Sequence, residues 1–367
     1  MAETVFILGA GASSEAGAPV MNNFMQTARN LAKSGEIAPG DLNIVSRGIE
    51  ELQKAQSNAK LNLKNLEDVF GAFEMAKLIG RLGSMNPEEV SQLTDALVEL
   101  ITQTLGHSLR FPIDPDEEHP ARMVKPSPPY AAFAKFIYSR NLRYDGTGVR
   151  PFSIITFNYD PCIDDALTYN NLPYDYCLGS KFEKAELNLL KLHGSLNWVC
   201  CPQCNNKVTY WKVEEQIAKT HYSVDELEDR GSKTVKLMQF LAGHRNFVCG
   251  HSGNSKPFIV PPTYSKGNAH SEIASVWAAA ASELREAENV FVIGFSLPET
   301  DHFFQHFYAL GATGNLSLNR FWVYDINPMV AGRFKEILGQ NALDAFDFHE
   351  MSFSKALTHL DSVLPLK

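Results

Sequence analysis

Cysteine is scarce in this chain: six among 367 residues. That is too few to frame a disulfide scaffold, and it points to a reducing compartment. No apolar run approaches the length of a membrane span. The opening Met1-Ala2-Glu3-Thr4 lacks the basic start and long apolar stretch of a secretory signal, so a cytoplasmic protein is expected. Positive charge is also short. Lys and Arg number 33 against 42 Asp and Glu, a net charge of −9, which disfavours nucleic-acid binding across the whole surface. Neither direct nucleic-acid binding nor membrane association is expected. No internal repeat is visible. Against these absences stand 44% hydrophobic and 20% charged residues, an ordinary globular composition that excludes wholesale disorder. The length is enough for a large core.

The most informative stretch lies at the start. Val5-Phe6-Ile7-Leu8 reads as a buried parallel strand. It runs directly into Gly9-Ala10-Gly11-Ala12-Ser13-Ser14-Glu15-Ala16-Gly17-Ala18-Pro19. Glycines at 9 and 11 remove the Cβ atoms that would hold an anionic group away from backbone N–H groups, and a helix start nearby favours phosphate oxygens. The dinucleotide fingerprint G-x-G-x-x-G is incomplete, because Ser14 stands at the third glycine position. A tight connection between strand and helix is the alternative reading.

Further apolar runs at Phe152–Phe157, Leu187–Leu192, Phe258–Val260, Val290–Ile293 and Phe321–Tyr324 alternate with helix-like stretches such as Ile273–Glu288. That alternation predicts an α/β fold with a Rossmann-like parallel sheet. Residues 25–140 read as a large, mostly helical insertion, from the rhythm of Leu66, Val69, Phe70 and Phe73 and of Val90–Leu105. The insertion ends in a turn-rich stretch around Pro112, Pro115, Pro120, Pro126, Pro128 and Pro129. A second interruption, residues 199–256, forms a small cysteine-containing module, with a polar helical hairpin or loop over Thr220–Arg245. Residues 1–367 as a whole read as a single catalytic domain carrying these two interruptions.

Several polar residues fall at strand ends, where an α/β nucleotide enzyme keeps its chemistry. Asn158 and Asp160 follow the second apolar run with alternate spacing, so they point to one side; a helix cap or Asx turn is the competing reading. His193 precedes Gly194 at the end of another run. An imidazole titrates near neutral pH and suits acid/base work, against the alternative of a hydrogen-bonded structural histidine. Gly294 and Ser296 follow the run ending at Ile293, with atoms suited to phosphate or ribose. Asp325 and Asn327 follow the last run and suit ribose hydroxyls.

Cys201-Pro202-Gln203-Cys204 is a C-x-x-C knuckle favourable to tetrahedral zinc. With Cys249 and His251 it makes a Cys₃His set for a structural zinc. Cys200 or His244 could replace one member, and uncoordinated cysteines are the alternative.

Taken in order, these segments resemble the sirtuin family. The family's G-A-G-x-S-x-x-x-G-x-P turn is matched by Gly9, Ala10, Gly11, Ser13, Gly17 and Pro19. Its T-x-N-x-D segment is matched by Thr156, Asn158 and Asp160, and its H-G pair by His193 and Gly194. A cysteine module follows, then a G-x-S-L strand end at Gly294, Ser296 and Leu297 and an I-N element at Ile326 and Asn327. The resemblance implies a sirtuin-type fold with a zinc-ribbon-like module, and a site that uses NAD as substrate by cleaving the nicotinamide–ribose bond. It implies that Ala10, Ser13 and Gly294 lie near the phosphates. Asn158 would position the ribose and the attacking group, and Asp160 would hold the nicotinamide amide. Ser296 and Asn327 would serve the adenosine side, with His193 as the catalytic histidine.

Departures from the pattern separate the possible activities. Deacylating sirtuins follow the first proline with an acidic residue, Phe and Arg, where this chain has Val20-Met21-Asn22-Asn23-Phe24. Where they carry a peptide-pairing Phe-Gly-Glu strand, this chain has Pro257-Phe258-Ile259-Val260-Pro261-Pro262, and Pro261 and Pro262 lack the N–H donors that such pairing needs. The large insertion resembles bacterial sirtuin-like NAD hydrolases of anti-phage defence. The expectation is hydrolysis to nicotinamide and ADP-ribose, with a protein lysine deacylase and a non-catalytic NAD or ADP-ribose sensor as alternatives. A homo-oligomer assembled through the insertion, and a separate defence partner such as a HerA-like ATPase, are the expected associations.

Overall fold

The computed structural model describes residues 2–57, 59–117, 122–141, 150–179, 184–201, 207–213, 215, 233–244, 257–260, 272–298, 302–314 and 318–364. Its centre is a seven-stranded sheet in which every described pairing is parallel. In chain order the strands of this sheet are β1 (Ala2–Leu8), β3 (Arg150–Thr156), β4 (Tyr174–Asp175), β5 (Leu187–Lys191), β10 (Asn289–Ile293), β11 (Arg320–Asp325) and β12 (Phe346–Glu350). Across the sheet they run β12-β11-β10-β1-β3-β5-β4. The order reverses at β1, which pairs with β3 on one side and β10 on the other. In an open α/β sheet that reversal opens a crevice at the carboxyl ends of the strands. The fold is the expected Rossmann-like α/β class with a large helical insertion.

Val5, Phe6, Ile7 and Leu8 are all fully buried, as a central strand covered on both faces requires. Phe6 anchors one face. Its ring lies 5.0 Å from that of Phe133 and 5.6 Å from that of its cross-strand neighbour Phe291. Phe133 belongs to α6 (Pro128–Asn141), so the last part of the stretch read as insertion is a helix packed on the sheet. On the other face lie α9 (Ala274–Glu286) and α10 (His302–Gly311), with Tyr308 edge-on to Phe321 at 5.2 Å.

The insertion is built from α2 (Phe24–Lys33), α3 (Pro39–Ala55), α4 (Leu66–Ile79) and α5 (Pro87–Ser108). The last of these packs against the other three. It begins three residues before the Val90 start of the apolar rhythm, because Asn86 and Glu89 form a reciprocal capping box around Pro87. A Cβ on Gly48 would meet Phe73 and Leu93 at 2.7 Å, so glycine allows α3 to cross its neighbours closely.

Three expectations need correction. Phe258–Val260 contributes β9 (Pro257–Ile259), but not to the parallel sheet. It pairs antiparallel with β6 (Gly194–Cys201), which also pairs with β7 (Lys207–Tyr210). Second, residues 233–244 do not stay with the cysteine module. β8 (Thr234–Lys236) pairs with β2 (Arg110–Pro112), and α8 (Leu237–His244) packs on α5. Third, β12 was not foreseen; its Phe-Asp-Phe-His-Glu sequence alternates as a half-buried edge strand should.

Candidate functional site

A cavity of about 600 Å³ opens at the carboxyl ends of β5, β3, β1, β10 and β11. It is lined by Ala10, Gly11, Ser13, Asn158, Asp160, His193, Gly294, Ser296, Asp325 and Asn327. Ten of the eleven residues expected to handle a nucleotide therefore share one wall; Gly9 lies just behind it. Three strands, β3, β1 and β10, lie between β5, which ends two residues before His193, and β11, which ends two residues before Asn327.

The glycines have a different reason from the one the sequence offered. A Cβ on Gly9 would fall 2.5 Å from Phe295 Cα, and one on Gly11 would fall 2.8 Å from Gly294 Cα. Gly9 N donates to Ile293 O at 3.0 Å, and Gly11 N donates to Gly294 O at 2.8 Å. Both amides are thus committed to joining the turn after β1 to the turn after β10. Gly294 adopts φ +63°, and a Cβ there would meet Ala12 N at 2.3 Å. Close backbone packing, not an approaching phosphate, accounts for glycine at 9 and 11.

Ser13 is 1% exposed and sits at the centre of a buried network. Its hydroxyl donates to Asp160 Oδ2 at 2.7 Å. Asn158 Nδ2 donates to Ser13 Oγ at 3.0 Å and to Gly9 O at 2.9 Å. Tyr130 OH lies 2.7 Å from Ser13 Oγ. Burial, followed by the charge of Asp160, pushes the Tyr130 phenol well up, so it keeps its proton. Ser13 has one proton, already given to Asp160, so Tyr130 is the donor. The resemblance put Ser13 near phosphates; its side-chain oxygen is instead saturated by the chain. With both Nδ2 protons of Asn158 engaged, Oδ1 is the atom Asn158 can offer a ligand.

Asp160 makes the local turn contact weighed for it and also borders the cavity. Its Oδ1 accepts from Cys162 N at 3.1 Å at the start of α7 (Cys162–Tyr169), and its carboxylate edges the cavity. Behind it lies a buried ion pair that sequence reasoning missed. Lys191, fully buried, donates from Nζ to Asp164 Oδ2 at 2.8 Å and to Asp160 O at 2.7 Å. Asp164 also accepts from the Tyr176 hydroxyl. A lysine within an apolar run was the available signal.

His193 is 5% exposed. Phe157 stands edge-on to it at 5.1 Å and is itself stacked on Phe295 at 4.5 Å, giving the cavity an aromatic floor. Val260 N donates to His193 O at 2.8 Å, which ties β9 to this end of the site. At the far end burial raises the carboxyl pKa of Asp325, while its Oδ1 accepts from Asn327 N at 2.8 Å. Arg333, on α11 (Met329–Ile337), donates to Ser296 O at 2.9 Å. The insertion adds Leu66, Glu67, Ile101 and Leu105 to the wall. Neither Arg333 nor Glu67 carried a motif that would mark it.

Of the expected zinc ligands, Cys204, Cys249 and His251 lie outside the described residues, and Cys201 is described by its backbone alone at the end of β6. The described residues hold no group of three metal-ligating side chains. Among them, no helix is long and apolar enough to cross a membrane.

No protein-family model matches the chain, and no curated protein matches it. Among solved structures it is similar to Sir2Tm bound to a propionylated peptide, at 14% identity and TM-score 0.38, covering 99% of this chain and 94% of that one. It is also similar to a Sir2–p53 peptide–NAD⁺ structure, at 15% identity and TM-score 0.40 over 98% and 92% of the two chains. A Sir2 homologue mutant in complex with ADP ribose is 14% identical, with TM-score 0.39 over 99% and 94%.

Proposed function

We propose that this protein binds NAD in the cavity at the strand ends and hydrolyses its nicotinamide–ribose bond, releasing nicotinamide and ADP-ribose. One observation carries the reading. A single cavity joins His193, Asn158 and Asp160 at one end to Asp325 and Asn327 at the other. In the reaction His193 accepts the proton of the attacking water, directly or through a ribose hydroxyl. Asn158 Oδ1 orients that water and the ribose, and Asp160 faces the nicotinamide amide. Ser296, Asp325 and Asn327 serve the adenosine half, while the turn from Ala10 to Ser13 and Gly294 lie along the diphosphate. Fixed dipoles aimed at the ribose suit a step that builds oxocarbenium character.

Hydrolysis is our reading over deacylation because Pro261 and Pro262 lack the N–H donors that pairing with an acyl-lysine peptide would use; the insertion contributes Leu66, Glu67, Ile101 and Leu105 to the cavity wall. A cell-wide NAD hydrolase needs restraint. Assembly through the insertion, where Met75, Leu78 and Ile79 of α4 are exposed, and a separate partner such as a HerA-like ATPase are the proposed means, within an anti-phage role.

The test is nicotinamide release by the purified protein, with and without an acyl-lysine peptide and with candidate partner proteins. Release without peptide, abolished by His193→Ala and Asn158→Ala, is the expected outcome. Release only with peptide identifies a deacylase. Binding without turnover identifies a sensor.

A further inference from the structure

The parallel sheet ends at β12, and among the described residues no strand pairs with its outer side. The direction of its backbone groups follows from its inner side. Phe321 N donates to Ala345 O at 2.8 Å, and Met351 N donates to Asp325 O at 3.2 Å. Alternate residues of a strand turn their N–H and C=O groups to the same side. Phe346, Phe348 and Glu350 therefore aim theirs away from the sheet. Such an edge is a template for another strand.

The side chains indicate which strand fits. An antiparallel copy of the same segment, centred on Phe348, sets Phe348 against Phe348, Phe346 against Glu350 and Asp347 against His349. Every outward amide then meets an outward carbonyl. Asp347 and His349 fall in the positions without main-chain bonds, where cross-strand side chains approach most closely. A carboxylate thus meets an imidazole on both sides of the two-fold axis. On the opposite face Lys335 lies over the Phe346 ring, 5.6 Å from its centre. Glu350 of the second copy arrives beside that ring, whereas Glu350 of the same chain stands roughly 13 Å further along the strand. Lys335 and Glu350 are both exposed.

Two local features fit the same pairing. Phe348 N donates to Asp347 Oδ1 at 2.8 Å, so a side chain stands where a neighbouring strand would place a carbonyl. His349 Nε2 is buried without a hydrogen-bond partner among the described residues, and Asp347 Oδ2 is 3.6 Å away. A carbonyl brought to Phe348 N by a second copy releases the Asp347 carboxylate for an imidazole. The rings of Trp322, Tyr324 and His359 surround His349 at 5.1, 4.9 and 4.6 Å and hold it in place. The helix carrying His359, Phe353–Val363, packs on α6 and β11, inward of the edge.

We propose that β12 is a homodimer interface, through which two copies of this chain join edge to edge, antiparallel and centred on Phe348, into one continuous sheet. The contact is separate from the helical insertion and stands whether or not the cavity binds NAD.

The test is the oligomeric state of the full-length protein, by sedimentation over a wide range of concentrations. Expected is a dimer that dissociates on dilution, with slowed amide hydrogen exchange over residues 346–350 in the dimer. Phe348→Pro removes the central amide at an edge position, where proline is tolerated, and should leave a monomer. Lys335→Glu opposes two acids and Glu350→Lys opposes two bases, so each should weaken the dimer about tenfold. Lys335→Glu combined with Glu350→Lys restores opposite charges and should return the affinity to within about threefold of wild type. Melting curves check that each variant folds, and the two reversed residues are on the surface. A chain that stays monomeric at every concentration overturns the proposal. So does a dimer that Phe348→Pro or the single charge reversals leave intact, since its contact lies elsewhere. A double reversal no tighter than the single ones also overturns it, because the register then fails.

Discussion

Ser13 gives its only hydroxyl proton to Asp160, at 2.7 Å, and that fixes the direction of every other bond in the network. Tyr130 and Asn158 must both donate to Ser13 Oγ. The two residues that face the cavity, Asn158 and Asp160, are thus held by one oxygen anchored from α6. Tyr130→Phe removes a single donor at constant shape. The expected loss is about 1 kcal/mol of stability, the usual worth of a buried hydrogen bond, with kcat falling further than KM changes. Ser13→Ala removes all three bonds and leaves the Tyr130 hydroxyl buried without its acceptor, so about 2–3 kcal/mol is expected. Urea titrations and steady-state kinetics on both variants check this. Full activity in Ser13→Ala would show that the network has no part in orienting Asn158.

The Lys191–Asp164 pair makes a separate prediction. Both partners are almost entirely withdrawn from water, with side-chain exposures of 0% and 4%. Removing one charge strands the other, at a cost of about 3–5 kcal/mol. Lys191→Met should therefore show a greatly lowered denaturation midpoint. Lys191→Met combined with Asp164→Leu should recover part of the loss, because no buried charge remains; the Tyr176 hydroxyl still loses its acceptor. Equal midpoints for the single and double variants would contradict the stranded-charge account.

Much of this arrangement was legible in the sequence because strands covered on both faces write themselves as apolar runs. β1, β3, β5, β10 and β11 were each marked by such a run, and the residue types just after them, Asn158, His193, Gly294 and Asn327, marked the strand ends. The same property hides the place of β9. Three apolar residues look alike in a parallel sheet and in an antiparallel one, and pairing partners distant in sequence decide between them. Gly9 and Gly11 were recognised as special, but their cause lies almost 300 residues away, in the backbone of Gly294 and Phe295. Tyr130 and Glu67 reach the site from helices remote in sequence, and Arg333 follows Asn327 closely but on a helix without a motif, so no local pattern distinguishes any of them from a packing or surface residue. The same holds for residues 233–244. Their docking on α5 depends on β2 and on a close contact at Gly106, where a Cβ would meet Met238 Cε at 2.7 Å.

That docking leads to a pH-dependent prediction. Lys236 Nζ donates to Glu36 Oε2 at 2.7 Å, joining β8 to the residue region after α2, with side chains 13% and 17% exposed. The hydrogen bond from Lys236 is the main cause holding the Glu36 carboxyl below its ordinary value of 4.5, with the charges of Lys236 and His107 in support. A carboxyl depressed by folding binds fewer protons in the folded state. Its contribution is therefore complete above the unfolded pKa and is lost as pH falls through the folded one. Glu36→Gln should destabilise the protein by about 1 kcal/mol near pH 7, at the upper end for a partly exposed pair. The gap between variant and wild type should begin to close below about pH 4.5 and be largely gone once Glu36 is protonated in both states. Melting curves of the two proteins from pH 7 to pH 3 measure that gap. A difference that stays constant across the range would mean that the ion pair contributes nothing and that the substitution acts through packing alone.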